Sequence, residues 1–270
     1  TGRLFTLSQG QHRIDIPAGF GIPIVSTEVL SLNTQVLNLN IEKGTRQVRH
    51  RVIMRYARDS ELTTPMKPLY PVGAYGLKLL DGKDGHYGLT SSDKADAKHG
   101  PGCLPGANAG ENVFDDHAGR KFTGHWVVKP GREKNHTRVT KIMDLPFDTT
   151  VHYVAVHLHP FAESLELRDL TTNKPVYKAF TRQSSAGVGL DHVDFFASAQ
   201  GFALLKGHEY ELVSVYNNTS GKPQDSMAVM NMYALDKEFK KPDLSQLKLK
   251  LERDRRSNGK PAATSKPGAM

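Results

Sequence analysis

VHYVAVHLHPFAESLELRD, residues 151–169, decides how this chain folds. Val154, Val156 and Leu158 alternate with Tyr153, Ala155, His157 and His159. Side chains on a strand point to opposite faces with period two, so the apolar set marks a core face and the two imidazoles share the other. Pro160 then ends the run. In a two-sheet sandwich the imidazole-bearing face is either solvent or a site.

Working outward, strand-like runs bounded by Gly, Pro, Asn and Asp recur at 22–30, 35–41, 46–57, 124–129, 137–143, 164–170, 175–181, 210–217 and 227–235. Helical periodicity is scarce. The expected fold class is all-β, built as antiparallel sandwich or barrel. Residues 81–120 are long, polar and Gly-rich, and a structureless stretch of that length is uncommon inside one domain. They read as a loop or linker between an N-terminal β unit at 1–80 and a β-sandwich at 121–236. From 237 to 270 the alternation is lost, and a basic, partly disordered tail is expected.

Charge narrows the partners. The net charge is +8, and residues 237–270 carry ten Lys/Arg against four Asp/Glu, so +6 of it sits in the tail. The body shows no basic and aromatic interleaving of the nucleic-acid kind, so no nucleic-acid partner is expected. No run approaches the roughly 18 apolar residues of a membrane-spanning helix. Cys103, in the loop HGPGCLPG, is the single cysteine, which excludes an intrachain disulfide and a cysteine-rich zinc site. It reads as a free loop thiol. The chain opens on Thr1 with no signal-like stretch, read as a processed or trimmed start.

An HxH pair is weak evidence alone, since twelve His in 270 residues give roughly half such a pair by chance. Context must supply the specificity. The second piece is YNNTSGKPQDSMAVMNMYAL, 216–235, a turn running into a Met-rich strand. Met230 and Met232 share one face and Met227 lies on the other. Methionine is usually adaptable core filler. Two imidazoles and one thioether, however, make a soft site of low coordination that suits copper, Cu(I) above all. Zinc more often recruits Cys or a carboxylate.

The segments HWVVKPG, LPFDTTVHYVAVHLHP, LELRDL and YELVSVYNNTSGKPQDSMAVMNMY together resemble the C-terminal half of the copper type II, ascorbate-dependent monooxygenases. That family includes the peptidylglycine α-hydroxylating and dopamine β-hydroxylating enzymes. The resemblance covers 121–236 and implies a jelly-roll β-sandwich. It implies that His157, His159 and Met227 ligate one oxygen-activating copper, Met227 being the Met two residues after Asp225. It further implies ascorbate or another external reductant, C–H hydroxylation, and a secreted or periplasmic location.

Residues 15–80, ending in PMKPLYPVGAYGLKLL, more weakly resemble the end of the family's first domain. There the sequence departs. It has no adjacent His-His pair, and Leu39 stands in VLNLN where the second copper's later His would fall. The electron-donating copper is therefore expected to be missing, with an upstream segment or partner chain docking on 15–80. The positions that would anchor a peptide carboxylate are Ala155, Val229 and Asn231, which argues against a peptidylglycine substrate.

The remaining histidines carry less. His50 reads as a half-buried strand residue, and His125 as structural or as a neighbour of the ligands. His86, His99 and His117 read as solvated loop residues, while His136, His152, His192 and His208 form no pattern. The stripe Arg46, Arg49, Arg51 and Arg55 reads as a solvated face or a subunit contact. Besides a monooxygenase, two other functions fit the sequence. One is a non-catalytic copper-binding or structural subunit of an extracytoplasmic assembly. The other is a metal-free carbohydrate- or surface-binding sandwich.

Overall fold

Residues 4–34, 36, 39–40, 44, 47–79, 113–115, 121–243 and 245 are described in a computed structural model. Its strands are β1 (Phe20–Gly21), β2 (Lys67–Tyr75), β3 (Lys78–Leu79), β4 (Val113–Asp115), β5 (Lys121–Thr123), β6 (Trp126–Val128), β7 (Gly131–Arg138), β8 (Thr149–Leu158), β9 (Ala162–Asp169), β10 (Lys174–Gln183), β11 (Leu190–Val193), β12 (Phe196–Leu204), β13 (Tyr210–Asn218), β14 (Gln224–Ser226) and β15 (Ala228–Leu235). The short helix α1 (Thr140–Met143) joins β7 to β8.

Two five-stranded sheets make the sandwich, in the orders β1-β2-β15-β8-β12 and β11-β10-β9-β13-β7. The first is antiparallel apart from the two-residue pairing of β1 with β2. The second is antiparallel throughout. The all-β sandwich expected from the alternating runs is what forms. Val154, Val156 and Leu158 of β8 and Met230 and Met232 of β15 face Leu165 and Leu167 of β9 and Leu212 of β13 across one core. Burying each such side chain is worth about 1.5–3 kcal/mol, so the apolar alternation fixes the register of β8.

The second face of β8 is neither bare nor wholly a site. Tyr153 and Ala155 pack with Leu69, Tyr233 and Phe20 under Phe5, Ile14, Ile16 and Ile22. The N-terminal segment lies over this end of the sheet, and Gln11 donates its side-chain N–H to the Tyr153 hydroxyl at 2.9 Å. Coverage stops short of the other end of β8, where His157 is only half-buried.

The described part of the N-terminal segment joins the sandwich. Strand β2 lies beside β15 in the sheet that holds β8, so the 1–80 segment shares its sheet with the 121–236 sandwich. Residues Thr1–Asp236 make one compact unit, and Lys237–Met270 a second. Two prolines, Pro68 and Pro71, hide β2 in the sequence. They are tolerated because β1 pairs only with Lys67 and Pro68, leaving that flank of β2 free of a ladder further along.

The runs 22–30 and 46–57 form no strand where described. Val29 is 94% exposed and Ile53 76%, so their alternation meets no partner sheet. His50 is correspondingly exposed rather than half-buried, as are Arg49, Arg51 and Arg55. Most of 35–41, most of the 81–120 loop with Cys103, His86, His99 and His117, and nearly all of the tail beyond Asp243 lie outside the described residues. No helix among the described residues is long and apolar enough to cross a membrane.

Candidate metal centre

His157 is the penultimate residue of β8, and His159 follows its last residue. A residue before proline is held in the extended region, so Pro160 keeps His159 on the line of the strand before the chain turns. Phe161 then takes φ 69° and the Ala162 N–H donates to the His159 carbonyl at 3.3 Å, carrying the chain into β9 of the other sheet. The two rings lie with centroids 5.2 Å apart and planes at 90°.

Strand β15 supplies the neighbour. Val229 pairs with His157 and Ala228 with Leu158. One step further along this register, Met227 falls opposite His159. The pairing itself stops at Leu158 and Ala228; directly opposed residues share a face, so a ladder continued by one step would set Met227 on the side of the two imidazoles. Met230 and Met232, both 0% exposed, point into the inter-sheet core on the other side.

The turn before Met227 adds a carboxylate. In β14, Asp225 pairs with Val127 of β6, immediately beyond His125 and Trp126. Asn218 holds this arrangement: its buried amide donates to the Val128 carbonyl at 2.9 Å and to the Lys222 carbonyl at 2.8 Å. Its oxygen accepts from the Ser220 N–H at 3.0 Å, and Gly221 supplies φ +74° at the tip. Asp225 Oδ2 is thereby set 2.8 Å from His159 Nδ1 and 3.9 Å from His125 Nε2. His125 and His159 rings stand 5.4 Å apart, and both residues are buried. His125, His159 and Asp225 form a group that can hold a metal ion, with one ligand atom from each lying within 4.8 Å of the others.

His159 has two nitrogens with different surroundings. The Asp225 carboxylate approaches Nδ1 at ion-pair distance rather than as an aligned hydrogen bond; with the proton on Nδ1, the Nε2 lone pair would be left for a metal. His157 Nδ1 is likewise shielded from solvent, while the residue as a whole is half-buried. Two imidazoles on one ion, with nitrogens about 2.0–2.1 Å away and a tetrahedral angle between them, place their centroids about 5.2 Å apart. The His157–His159 spacing meets that requirement.

From the opposite sheet, Tyr216 of β13 reaches through the core. Its hydroxyl donates to the Met227 carbonyl at 2.5 Å and accepts from the His159 N–H at 3.4 Å. Burial pushes this phenol well above its ordinary pKa, so it stays a protonated donor. Beyond His157 the same sheet face holds a small cleft of about 150 Å³, lined by Pro71, Val72, Gly73, Tyr75, Asn231 and Tyr233. None of these residues is charged.

Sequence pattern nominates His157, His159 and Met227; the two imidazole rings stand together at the end of β8, and Met227 lies between β14 and β15, joined through its carbonyl to the Tyr216 hydroxyl. In the sequence Asp225 stands out only as a landmark for Met227, and Tyr216 and Asn218 carry no signal at all. Four other histidines are engaged elsewhere. His152 stacks on Phe20 with centroids 4.0 Å apart, and His136, His192 and His208 sit 3.0, 3.0 and 2.7 Å from Glu211, Asp194 and Asp169. Among the described residues no second group of metal-binding type is present. No family model matches this chain, and no curated protein or solved structure matches it either.

Proposed function

We propose that this chain binds one copper ion through His157, His159 and Met227, with Asp225 and His125 as the layer behind His159. The observation that carries the reading is the 2.8 Å approach of Asp225 Oδ2 to His159 Nδ1. Metal-bound imidazoles commonly set their other nitrogen against a carboxylate, which fixes the ring and raises its basicity. The 5.2 Å spacing of His157 and His159 and the register position of Met227 complete a donor set of two nitrogens and one sulfur. Such a set favours copper, the reduced ion in particular.

Copper bound there supplies one-electron redox chemistry, and the resemblance to copper monooxygenases makes C–H hydroxylation with an external reductant such as ascorbate the activity we favour. The protein's part is to hold the ligands and to present the uncharged cleft on the same sheet face to a substrate. Asn231, which pairs with Ala155, sits diagonally across from His157 in the ladder. An uncharged lining supports a neutral substrate over a peptide carboxylate.

Two rival readings each have an observation behind them. A non-catalytic copper-binding subunit is favoured by the single metal-type cluster among the described residues. A harder ion held by His125, His159 and Asp225 is favoured by the closeness of their ligand atoms, since two His and one carboxylate suit iron or zinc. Copper stoichiometry with EPR separates them. One copper, lost in His157→Ala and Met227→Ala but kept in His125→Ala, supports the proposal. Loss in His125→Ala with no effect of Met227→Ala overturns it in favour of the harder ion. Ascorbate-dependent oxygen uptake by the copper-loaded chain then divides the enzyme from the binding subunit.

A further inference from the structure

We propose that Tyr216 is a positioning residue for the metal centre, its hydroxyl setting the separation of His159 from Met227. The inference rests on the reading of those two residues as ligands. In a continued antiparallel register the His159 N–H would meet the Met227 carbonyl directly. Here the ladder ends at Leu158 and Ala228, and the phenol oxygen stands between the two groups. It accepts from one at 3.4 Å and donates to the other at 2.5 Å. The strand ends are held apart by one oxygen atom where an unbridged ladder would either close or fray.

The bridge is anchored from outside the strand pair it holds. Tyr216 belongs to the opposite sheet, where it pairs with Ala162 just after the turn that His159 opens. Its ring is 1% exposed and meets Trp126 edge-on, centroids 6.1 Å apart at 80°. Trp126 in turn adjoins His125 and pairs with Ser226. The neighbouring Asn217 N–H donates to the Phe161 carbonyl at 2.8 Å, fixing β13 to the same turn. A phenol so held cannot follow the strand ends, so they must follow it.

Tyr210 is the built-in control. It lies on the same strand, its side chain is also buried, and its hydroxyl also contacts backbone, though within a single residue, accepting from the Leu205 N–H at 2.7 Å and donating to the Leu205 carbonyl at 3.2 Å. Loss of either hydroxyl removes two backbone hydrogen bonds, but only Tyr216 touches the proposed ligands.

The experiment compares wild type, Tyr216→Phe and Tyr210→Phe, each loaded with Cu(I). Affinity is read by competition with a chromophoric chelator and the ligand shell by X-ray absorption. The expected result is a fall of about tenfold or more in affinity and a weakened copper–sulfur shell in Tyr216→Phe, of the size seen when an outer-shell partner is lost. Tyr210→Phe should keep both at wild-type values. Tyr216→Phe with wild-type affinity and sulfur shell overturns the inference, as does an equal loss in both variants. Wild type that binds no copper instead overturns the reading of the site itself. Should Tyr216→Phe fail to fold, amide exchange in wild type decides: His159 protected like His157, whose amide faces β15 in the ladder, supports the bridge, and exchange at exposed-loop rates refutes it.

Discussion

Asp225→Asn is the sharpest probe of the proposed centre. The change keeps the size and an oxygen of the side chain but removes its charge, 2.8 Å from His159 Nδ1. Asp225 is only 13% exposed on its side chain and His159 4%, so solvent screens the pair little. Outer-shell substitutions of this kind typically weaken metal binding by about 10–100-fold. That range corresponds to about 1.4–2.7 kcal/mol. The expected outcome is therefore a copper affinity reduced by one to two orders of magnitude, with copper still bound and its sulfur ligand retained. His159→Ala should abolish binding outright. Cu(I) competition titrations on both variants make the comparison. Unchanged affinity in Asp225→Asn would refute the role of Asp225 behind His159. A loss as complete as that of His159→Ala would make Asp225 a ligand in its own right and move the ion toward His125.

Further outcomes are expected at other positions. Met227→Leu should lose the Cu(I) preference with little change in stability, whereas Met232→Leu, a near volume-conserving swap in the core, should cost under about 1.5 kcal/mol and leave copper binding intact; chelator competition and urea midpoints check both. Gly201 takes φ +69° at an irregularity in the β12–β8 pairing, and a Cβ there would collide with the Val151 carbonyl. Gly201→Ala should then destabilise by about 1–3 kcal/mol, lowering the melting temperature by several degrees, and an unchanged melting curve would contradict the close approach of Val151 to this glycine. Asp169 is pushed up by burial but brought below its ordinary pKa by hydrogen bonds from His208 and Thr172. Its folded pKa being the lower, it stabilises above the unfolded carboxylate pKa of about 3.9 and that share is lost as pH falls through the folded value. The stability gap between wild type and Asp169→Asn should be full at pH 6 and shrink below pH 4, which urea denaturation at stepped pH measures.

Period-two alternation was enough to place much of this. In β8 it assigned Val154, Val156 and Leu158 to the core and His157 and His159 to the opposite face, because a one-residue slip would turn every apolar side chain outward. The same rule separated Met227 from Met230 and Met232. Alternation misled at 22–30 and 46–57, since it reports a surface fit to pair and says nothing of whether a partner strand exists. It also missed β2, where Pro68 and Pro71 suit only a strand with one free flank.

By itself, then, the sequence determined the all-β class, the strand that carries the two imidazoles and the core face on which Met230 and Met232 lie. These are consequences of local geometry, decided within a few residues. Only the tertiary structure decided that the N-terminal segment covers Tyr153 and Tyr233, that Asp225 and His125 close on His159, and that the Tyr216 hydroxyl stands between His159 and Met227. Each of those contacts joins segments distant in the chain through the register of β14 on β6 and the stacking of one sheet on the other, and neither register nor stacking is written in any local run of residues.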